Sequence, residues 1–480
     1  MYVNPAEAVR RLLSSAPVAA ELAERFTAAG FSLALVGGSV RDALLGRLGD
    51  DLDFTTDARP EQILKLGKGW ADAVWDVGIA FGTVGFQKSG LKLEITTYRT
   101  EAYDRTSRKP EVAYGDTLEG DLIRRDFTVN AMAVQLRGGD SPSGVLVDPY
   151  GGLKDLASAV LRTPATPEES FSDDPLRMMR AARFAAQLGF GVAPEVLAAM
   201  AAMAERITIV SAERVQVELS KLLTAEDPRA GLALLVETGL ADYVLPELPK
   251  LALEIDEHHR HKDVYEHSLT VLDQAIELER NGPDLVLRLA ALLHDIGKPR
   301  TRKFEPGGGV SFHHHDLVGA KMVKKRLREL KYPKDVVDDV GQLVELHLRF
   351  HGYGEGEWTD SAVRRYVRDA GPLLDRLHLL TRSDCTTRNK RKAAMLSAAY
   401  DDLEERIERL KEQEELDSIR PDLDGNQIME LLQVPPGQVV GRAYKFLMEL
   451  RLDQGPVGYE AAASALRSWW ADQPESAAGS

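Results

Sequence analysis

The 480-residue chain has one cysteine, Cys385, so it can form no internal disulfide, which predicts a reducing compartment, the cytoplasm. It has no apolar run of the ~18 residues that a membrane-spanning helix needs. The N-terminal stretch carries Glu7, Arg10 and Arg11 and no apolar core, which predicts no secretory signal. No segment repeats at a fixed period. Positive charge is in deficit: 60 Lys and Arg face 75 Asp and Glu, a net charge of −15. That excludes a basic coat over the whole surface but leaves room for a local basic groove. What is present is ordinary globular composition, 44% apolar and 28% charged, in a length that predicts roughly three domains.

Residues 1–30 predict helices broken at Pro17. Residues 33–150 mix short β-type runs (SLALVGG, DLDFTT, TVGFQK, LKLEITTYRT, TVNAMAVQL, VLVDPYGG) with helical segments. YDRTSRKPEVAYGD, 103–116, has no periodicity and predicts a mobile loop. Beyond about residue 155, strand signals nearly vanish. Ala, Leu, Glu and Arg then recur at helical spacing, with breaks expected near 160, 250 and 410.

The most informative stretch is LVGGSVRDALLGRLGDDLDF, 35–54. Gly37 and Gly38 carry no Cβ, so the backbone can approach a ligand and offer N–H groups to phosphate. Asp51 and Asp53 lie two apart on a predicted strand, so both carboxylates point to one side. Hard oxygens so placed suit Mg²⁺, and Mg²⁺ suits a triphosphate. Glu94, in LKLEITTYRT, can meet them across a sheet. Three carboxylates can hold two ions, one at an attacking hydroxyl and one at the triphosphate. In RRDFTVNA, Arg124 and Arg125 can grip phosphate, and Asp126 or Asn130 can bond a ribose hydroxyl. Asp148-Pro149-Tyr150-Gly151-Gly152 reads as a structural turn. In SDDPLRMMRAARF, Asp173 or Asp174 can cap a helix that opens at Pro175. Asp174, Arg177, Arg180 and Arg183 recur every third residue along one side of it. A carboxylate and a guanidinium held this way can mimic a Watson–Crick edge.

A second constellation is scattered over 258–384: His267, His294-Asp295, His315, His347 and Asp384. Imidazole and carboxylate are the ligands of Zn, Mn, Fe and Ni. His258, His259, His261, His313, His314 and His351 are ambiguous neighbours. Further on, Arg388, Lys390, Arg391 and Lys392 form a basic run that can touch RNA phosphate or lie on a solvated helix face. Gly425 and Gly437 read as turn glycines.

The ordered set GGSVRD…DLD, RRDFTVNA, DPYGGLKDL, DDPLRMMRAARF and SAERVQVELSKLL, 211–223, resembles the class II tRNA nucleotidyltransferase/poly(A) polymerase family. It is most like bacterial, actinobacterial-type CCA-adding enzymes. The resemblance implies an α+β nucleotidyltransferase head, a small mixed sheet with helices, at 1–160. An all-α neck at 161–250, a body at 251–410 and an RNA-binding helical tail at 411–480 would follow. It implies that GGSVRD (Gly37, Gly38, Arg41), Asp51 and Asp53 hold triphosphate and two Mg²⁺. Arg125 and Asp126 would read the ribose. Asp174 and Arg177 would template the base, with Arg180 and Arg183 in support. The family usually shows Glu-Asp where this chain has Asp173-Asp174. The second constellation resembles the HD phosphohydrolase superfamily, which implies one metal on His267, His294, Asp295 and Asp384 and a second on His315 and His347. The implied function is addition of C, C and A to the tRNA 3′ end from CTP and ATP, with a second, phosphohydrolase activity using Mn²⁺, Ni²⁺, Co²⁺ or Fe²⁺. Alternatives are a poly(A) polymerase, a CC- or A-adding enzyme, or a metal-dependent phosphohydrolase with an RNA-binding head.

Overall fold

A computed structural model of the chain describes residues 4–47, 49–76, 78–102, 111–138, 143–252, 263–306, 309–353, 358–386, 389–414 and 419–473. It divides into two compact units, Met1–Pro249 and Lys250–Ser480. His258, His259, His261 and Arg388 lie outside the described residues, as does the side chain of His351.

The first unit begins with two helices, Pro5–Ser15 and Pro17–Ala28, each opening on a proline whose missing N–H the first turn does not use. Up to Val147, the described residues then form nine strands in chain order: β1 Leu33–Val36, β2 Asp51–Thr56, β3 Ala73–Trp75, β4 Thr83–Lys88, β5 Leu91–Thr97, β6 Arg99–Ala102, β7 Glu111–Tyr114, β8 Ala133–Arg137 and β9 Ser143–Val147. Seven of them form one mixed sheet in the order β3-β4-β5-β2-β1-β8-β9. β2 and β5 run parallel and the other neighbours antiparallel. All four residues of β1 are buried, as its unbroken apolar run requires of a central strand. β2 alternates at its start: Leu52 is buried between exposed Asp51 and Asp53.

Two strand readings need correction. LKLEITTYRT is not one strand. β5 stops at Thr97, the Tyr98 amide donates to the Thr56 carbonyl (2.7 Å), and β6 turns away to pair with β7. Residues 111–114, expected as loop, are therefore a strand, while 103–110 lie outside the described residues. Within TVNAMAVQL, Thr128–Asn130 is a 3₁₀ turn and the strand begins only at Ala133. Asp148 makes the expected turn: its carboxylate accepts from the amides of Gly152 (2.7 Å) and Leu153 (2.9 Å).

After the sheet come helices. Leu176–Leu188 packs against Ala212–Leu223 and Pro228–Glu237. The last crosses it closely, since a Cβ on Gly231 would lie 2.5 Å from the Ala182 carbonyl oxygen.

In the second unit, Val264–Leu278, Leu285–Leu293, His315–Glu329, Lys334–Leu346 and Leu374–Ser383 pack on one another. Eight of nine residues of Leu285–Leu293 are buried, as its near-continuous apolar sequence demands. The C-terminal helices Gly425–Leu432, Gln438–Gln454 and Tyr459–Ala471 share a small core of Leu423, Ile428, Leu447 and Leu466. Gly425 is not a turn residue: it starts its helix, behind the cap Asp424.

Candidate active sites

β1 ends at Val36 and the helix Gly38–Leu44 starts two residues later. The link is Gly37, at φ 71°, a conformation open to glycine. A Cβ there would also sit 3.0 Å from Arg125 Nη1 and 3.9 Å from Asp53 Oδ2. The Ser39 hydroxyl donates to the Asp51 carbonyl (3.2 Å) and accepts from the Asp53 amide (3.1 Å), pinning the helix start to β2. Asp53 is in register with Glu94 on β5, and Glu94 with Gly85 on β4. Partners in register share a face, so three carboxylates gather on one side of the sheet. The protein around the cleft desolvates the Asp53 carboxyl and pushes it up, Arg125 pulls it down, and Glu94 and Asp51 push it up again, for a net rise. Crowded carboxylates of this kind call for a cation, and all-oxygen donors fit Mg²⁺.

Facing them is the helix Leu176–Leu188. A cleft of about 670 Å³ is lined by Gly37, Gly38, Arg41, Asp51, Asp53, Arg125, Asp126, Asn130, Asp174, Arg177, Arg180 and Arg183. The head residues singled out in the sequence as binding nucleotide are there, except Arg124, which does not line the cleft and instead offers its carbonyl to Arg177. Glu94 does not line the cleft and reaches it only through its register with Asp53. A chain of hydrogen bonds crosses the site. Arg41 Nη1 donates to Asn130 Oδ1 (2.7 Å), Asn130 Nδ2 to Asp126 Oδ1 (2.9 Å), and Arg180 Nε to Asp126 Oδ2 (2.7 Å). Burial alone would raise the Asp126 carboxyl, but Arg180 and Asn130 outweigh it and hold it well below the ordinary range. Arg177 is fixed by the Ser170 hydroxyl (2.9 Å) and the Arg124 carbonyl (2.5 Å). Asp174, expected as a cap, lies one residue before the cap position Pro175; its Oδ1 accepts from the Leu176 amide (3.1 Å), while Oδ2 pairs with Arg214 (2.7 Å).

Four lining residues went unnoticed in the sequence: Leu176, Phe184, Arg214 and Lys221. Arg214 and Lys221 are seven apart on one helix, two turns, so they share a face; that spacing was a readable signal. Phe184 was not readable. Its ring meets Arg41, Arg180 and Arg183 at 5.2, 5.4 and 4.0 Å, a cation–π set that only the fold assembles. Glu218, buried behind the stripe, takes Arg183 Nε (2.5 Å) and Arg180 Nη1 (3.5 Å).

The second unit unites the scattered histidines. His294 and Asp295 sit just past the end of Leu285–Leu293, with His294 as its cap, not on the helix itself. His267 Nε2 lies 2.9 Å from Asp384 Oδ1 and 3.3 Å from His294 Nε2. The two oxygens of Asp295 are divided: Oδ2 is 3.2 Å from His294 and 3.5 Å from His267, Oδ1 is 3.2 Å from His315 and 4.0 Å from His347. His294, His315 and His347 each set Nδ1 against the carbonyl three residues earlier, at 2.9, 2.8 and 2.6 Å. A carbonyl only accepts, so each Nδ1 carries a hydrogen and each Nε2 is the nitrogen that faces the cluster. The Nε2 atoms of His315 and His347 are buried and without a hydrogen-bond partner. Burial opposes charge on His294, yet Asp295 and Asp384 raise it to about 10, while burial and His294 lower His347 to about 4. His267, His294 and Asp295 form one group with metal-binding spacing, and Asp295, His315 and His347 another. Orphaned imidazoles around a shared carboxylate fit a transition ion. His313 and His314 are exposed, and Lys390, Arg391 and Lys392 lie exposed at the start of the helix Lys390–Glu414.

A nucleotide-transferring head and a helical His/Asp centre carried on one chain are the class that these two sites define. The Poly A polymerase head domain matches residues 33–162, the probable RNA- and SrmB-binding site of polymerase A matches 189–251, and the HD domain matches 264–389. An A-adding tRNA nucleotidyltransferase of Deinococcus radiodurans is 36% identical over 448 residues, 92% of this chain and 96% of its own. A CCA-adding enzyme of Lacticaseibacillus paracasei is 43% identical over 230 residues, 48% of this chain and 54% of its own. The structure of a Bacillus stearothermophilus CCA-adding enzyme in complex with CTP superposes with a TM-score of 0.68 at 25% identity, covering 95% of this chain and 97% of that one. The chain belongs to the class II tRNA nucleotidyltransferase/poly(A) polymerase family and carries an HD domain. Both families are metal-dependent enzymes. Among the described residues no helix is long and apolar enough to cross a membrane.

Proposed function

We propose that the chain adds C, C and A to the 3′ end of tRNA from CTP and ATP. The observation that carries this reading is the single cleft that joins the Asp51/Asp53 pair to the stripe Asp174, Arg177, Arg180 and Arg183. Asp51 and Asp53, with Glu94 beside them, would hold Mg²⁺, which when bound would activate the attacking hydroxyl and neutralise charge at the leaving pyrophosphate. Gly37 and Gly38 let the backbone reach the triphosphate. Asp126 and Asn130 offer acceptors to the ribose. Asp174 and Arg177 present a fixed edge to the base. We divide the chain accordingly into a head (1–160), a neck (161–250), an HD body (251–410) and an RNA-binding tail (411–480). The test offers purified protein a tRNA lacking its last three nucleotides, with CTP alone, ATP alone, then both. CTP alone should add two residues and both together three.

One observation favours a second reading. A relative matched along nearly the whole chain is an A-adding enzyme. Under that reading the protein extends only tRNA already ending in CC, and only with ATP. Arg177→Ala decides the role of the stripe: base choice between CTP and ATP should relax, since a paired base edge contributes about 1–3 kcal/mol of discrimination. Unchanged relative rates would make the stripe structural.

For the HD centre we propose hydrolysis of a phosphate ester, such as a 2′,3′-cyclic phosphate or 2′-phosphate at a damaged tRNA end. His267, His294, Asp295 and Asp384 would hold one transition ion, with His315 and His347 serving a second. With Mn²⁺, Ni²⁺, Co²⁺ or Fe²⁺ held there, these residues would place a water of lowered pKa against the phosphate.

A further inference from the structure

Between two members of the His/Asp cluster, Asp295 and His315, the chain makes an excursion. It runs through the turn Lys298–Thr301 into the strand Lys303–Phe304, which pairs antiparallel with Val310–Ser311. Both roots of this hairpin are tied to the cluster. Lys298 Nζ lies 2.5 Å from Asp295 Oδ2, and the Phe312 carbonyl accepts from His315 Nδ1 at 2.8 Å. Lys298 Nζ also lies 5.7 Å from the centroid of the Phe312 ring.

The register pairs Phe304 with Val310 and Lys303 with Ser311, so Phe304 and Val310 share one face. Phe304 is 71% exposed, the highest value of any large apolar side chain among the described residues. The Arg302 guanidinium carbon stands 4.7 Å from its ring centroid. Arg300, Arg302 and Lys303 add three cations within four positions, against one carboxylate, Glu305, which is turned to the Ser311 hydroxyl (2.5 Å). A lone exposed aromatic ring is ordinary; one backed by a guanidinium on an arm rooted at both ends in a His/Asp centre has a specific use. A ligand that matches it is flat, aromatic and anionic, and a nucleotide is all three.

We infer that this hairpin is the base-holding arm of the HD site: Phe304 stacks on the nucleobase next to the phosphate that is cleaved, and Arg302, two residues back and against the same ring, takes the flanking phosphate. The site then selects nucleotide 3′ ends over small phosphate esters. This rests on the phosphohydrolase reading above. In the reaction a water oxygen bonds to phosphorus, the P–O bond to one ribose oxygen breaks, and that oxygen takes the proton. Phe304 touches the base and not the reacting atoms, so it is a positioning residue.

The test uses the full chain loaded with Ni²⁺ or Mn²⁺ and two substrates, 2′,3′-cyclic CMP and the base-free glycerol 1,2-cyclic phosphate. Phe304→Ala should raise KM for cyclic CMP about tenfold, equivalent to about 1.4 kcal/mol, at unchanged kcat. It should leave the glycerol ester unaffected. Phe304→Trp should restore KM, and its added indole fluorescence should be quenched by 2′-CMP. Equal kinetics of wild type and Phe304→Ala on both esters would overturn the arm and leave the phosphohydrolase reading standing. A wild type that cleaves neither ester would overturn that reading, and the fluorescence of the Phe304→Trp variant then decides the arm: no quenching by 2′-CMP overturns it, quenching supports it.

Discussion

Single residues set the limits of this chain's chemistry. Gly37 is held at φ 71° with a Cβ position 3.0 Å from Arg125 Nη1. Gly37→Ala should therefore reduce nucleotide addition at least tenfold, read from steady-state kinetics, with the fold's circular dichroism preserved. Asp126 is a residue whose charge is stabilised by folding. Its folded pKa is depressed, by Arg180 and Asn130 acting against burial. The stabilisation is thus fully present above the unfolded value of about 3.9 and lost as pH falls below it toward the folded value. Urea unfolding of wild type and Asp126→Asn should show the widest gap above about pH 5, closing as the pH drops below about 4. A gap that stays constant down to about pH 3 would mean that the carboxylate's charge contributes nothing.

Elements decide how those residues meet. The helix Leu176–Leu188 carries the arginine stripe, but it is Glu218 on Ala212–Leu223 that holds two of its guanidiniums. Glu218→Ala leaves Arg183 buried without its carboxylate, and breaking such a pair costs about 3–5 kcal/mol. We expect a loss near the lower figure in urea denaturation, together with poorer base selection, since the stripe loses its support. The same pair of helices shows what a sequence can reveal. The stripe was legible because three-residue spacing is a helical period, and Asp51 and Asp53 because alternation is a strand period. β1 was legible as an unbroken apolar run. Glu218 was not, because a glutamate so far along the chain from its partners looks like any solvated helix residue until the helices pack. Phe184 reads as core for the same reason. The strand β7 was hidden because it is only four residues long, too short to show a period, and pairs locally with β6.

At the scale of the molecule, two units carry two donor sets of different hardness. The head offers carboxylates alone, and the second unit offers imidazoles around Asp295 and Asp384. Hard and borderline ions should sort between them. His294→Ala should therefore strip bound transition metal, measured by elemental analysis, and abolish ester hydrolysis while sparing nucleotide addition. Asp53→Ala should do the reverse. Loss of both activities in either variant would mean that the two units do not work separately. Asp295 has a further consequence, in the order of loading. Its two oxygens face different histidine pairs, so one negative charge is offered to two places at once. An ion taken through Oδ2 leaves less of that charge for an ion at Oδ1. Occupancy of the two places is then anticooperative, the second ion being held more loosely than the first, and a slow chelator should empty the centre in two separate phases.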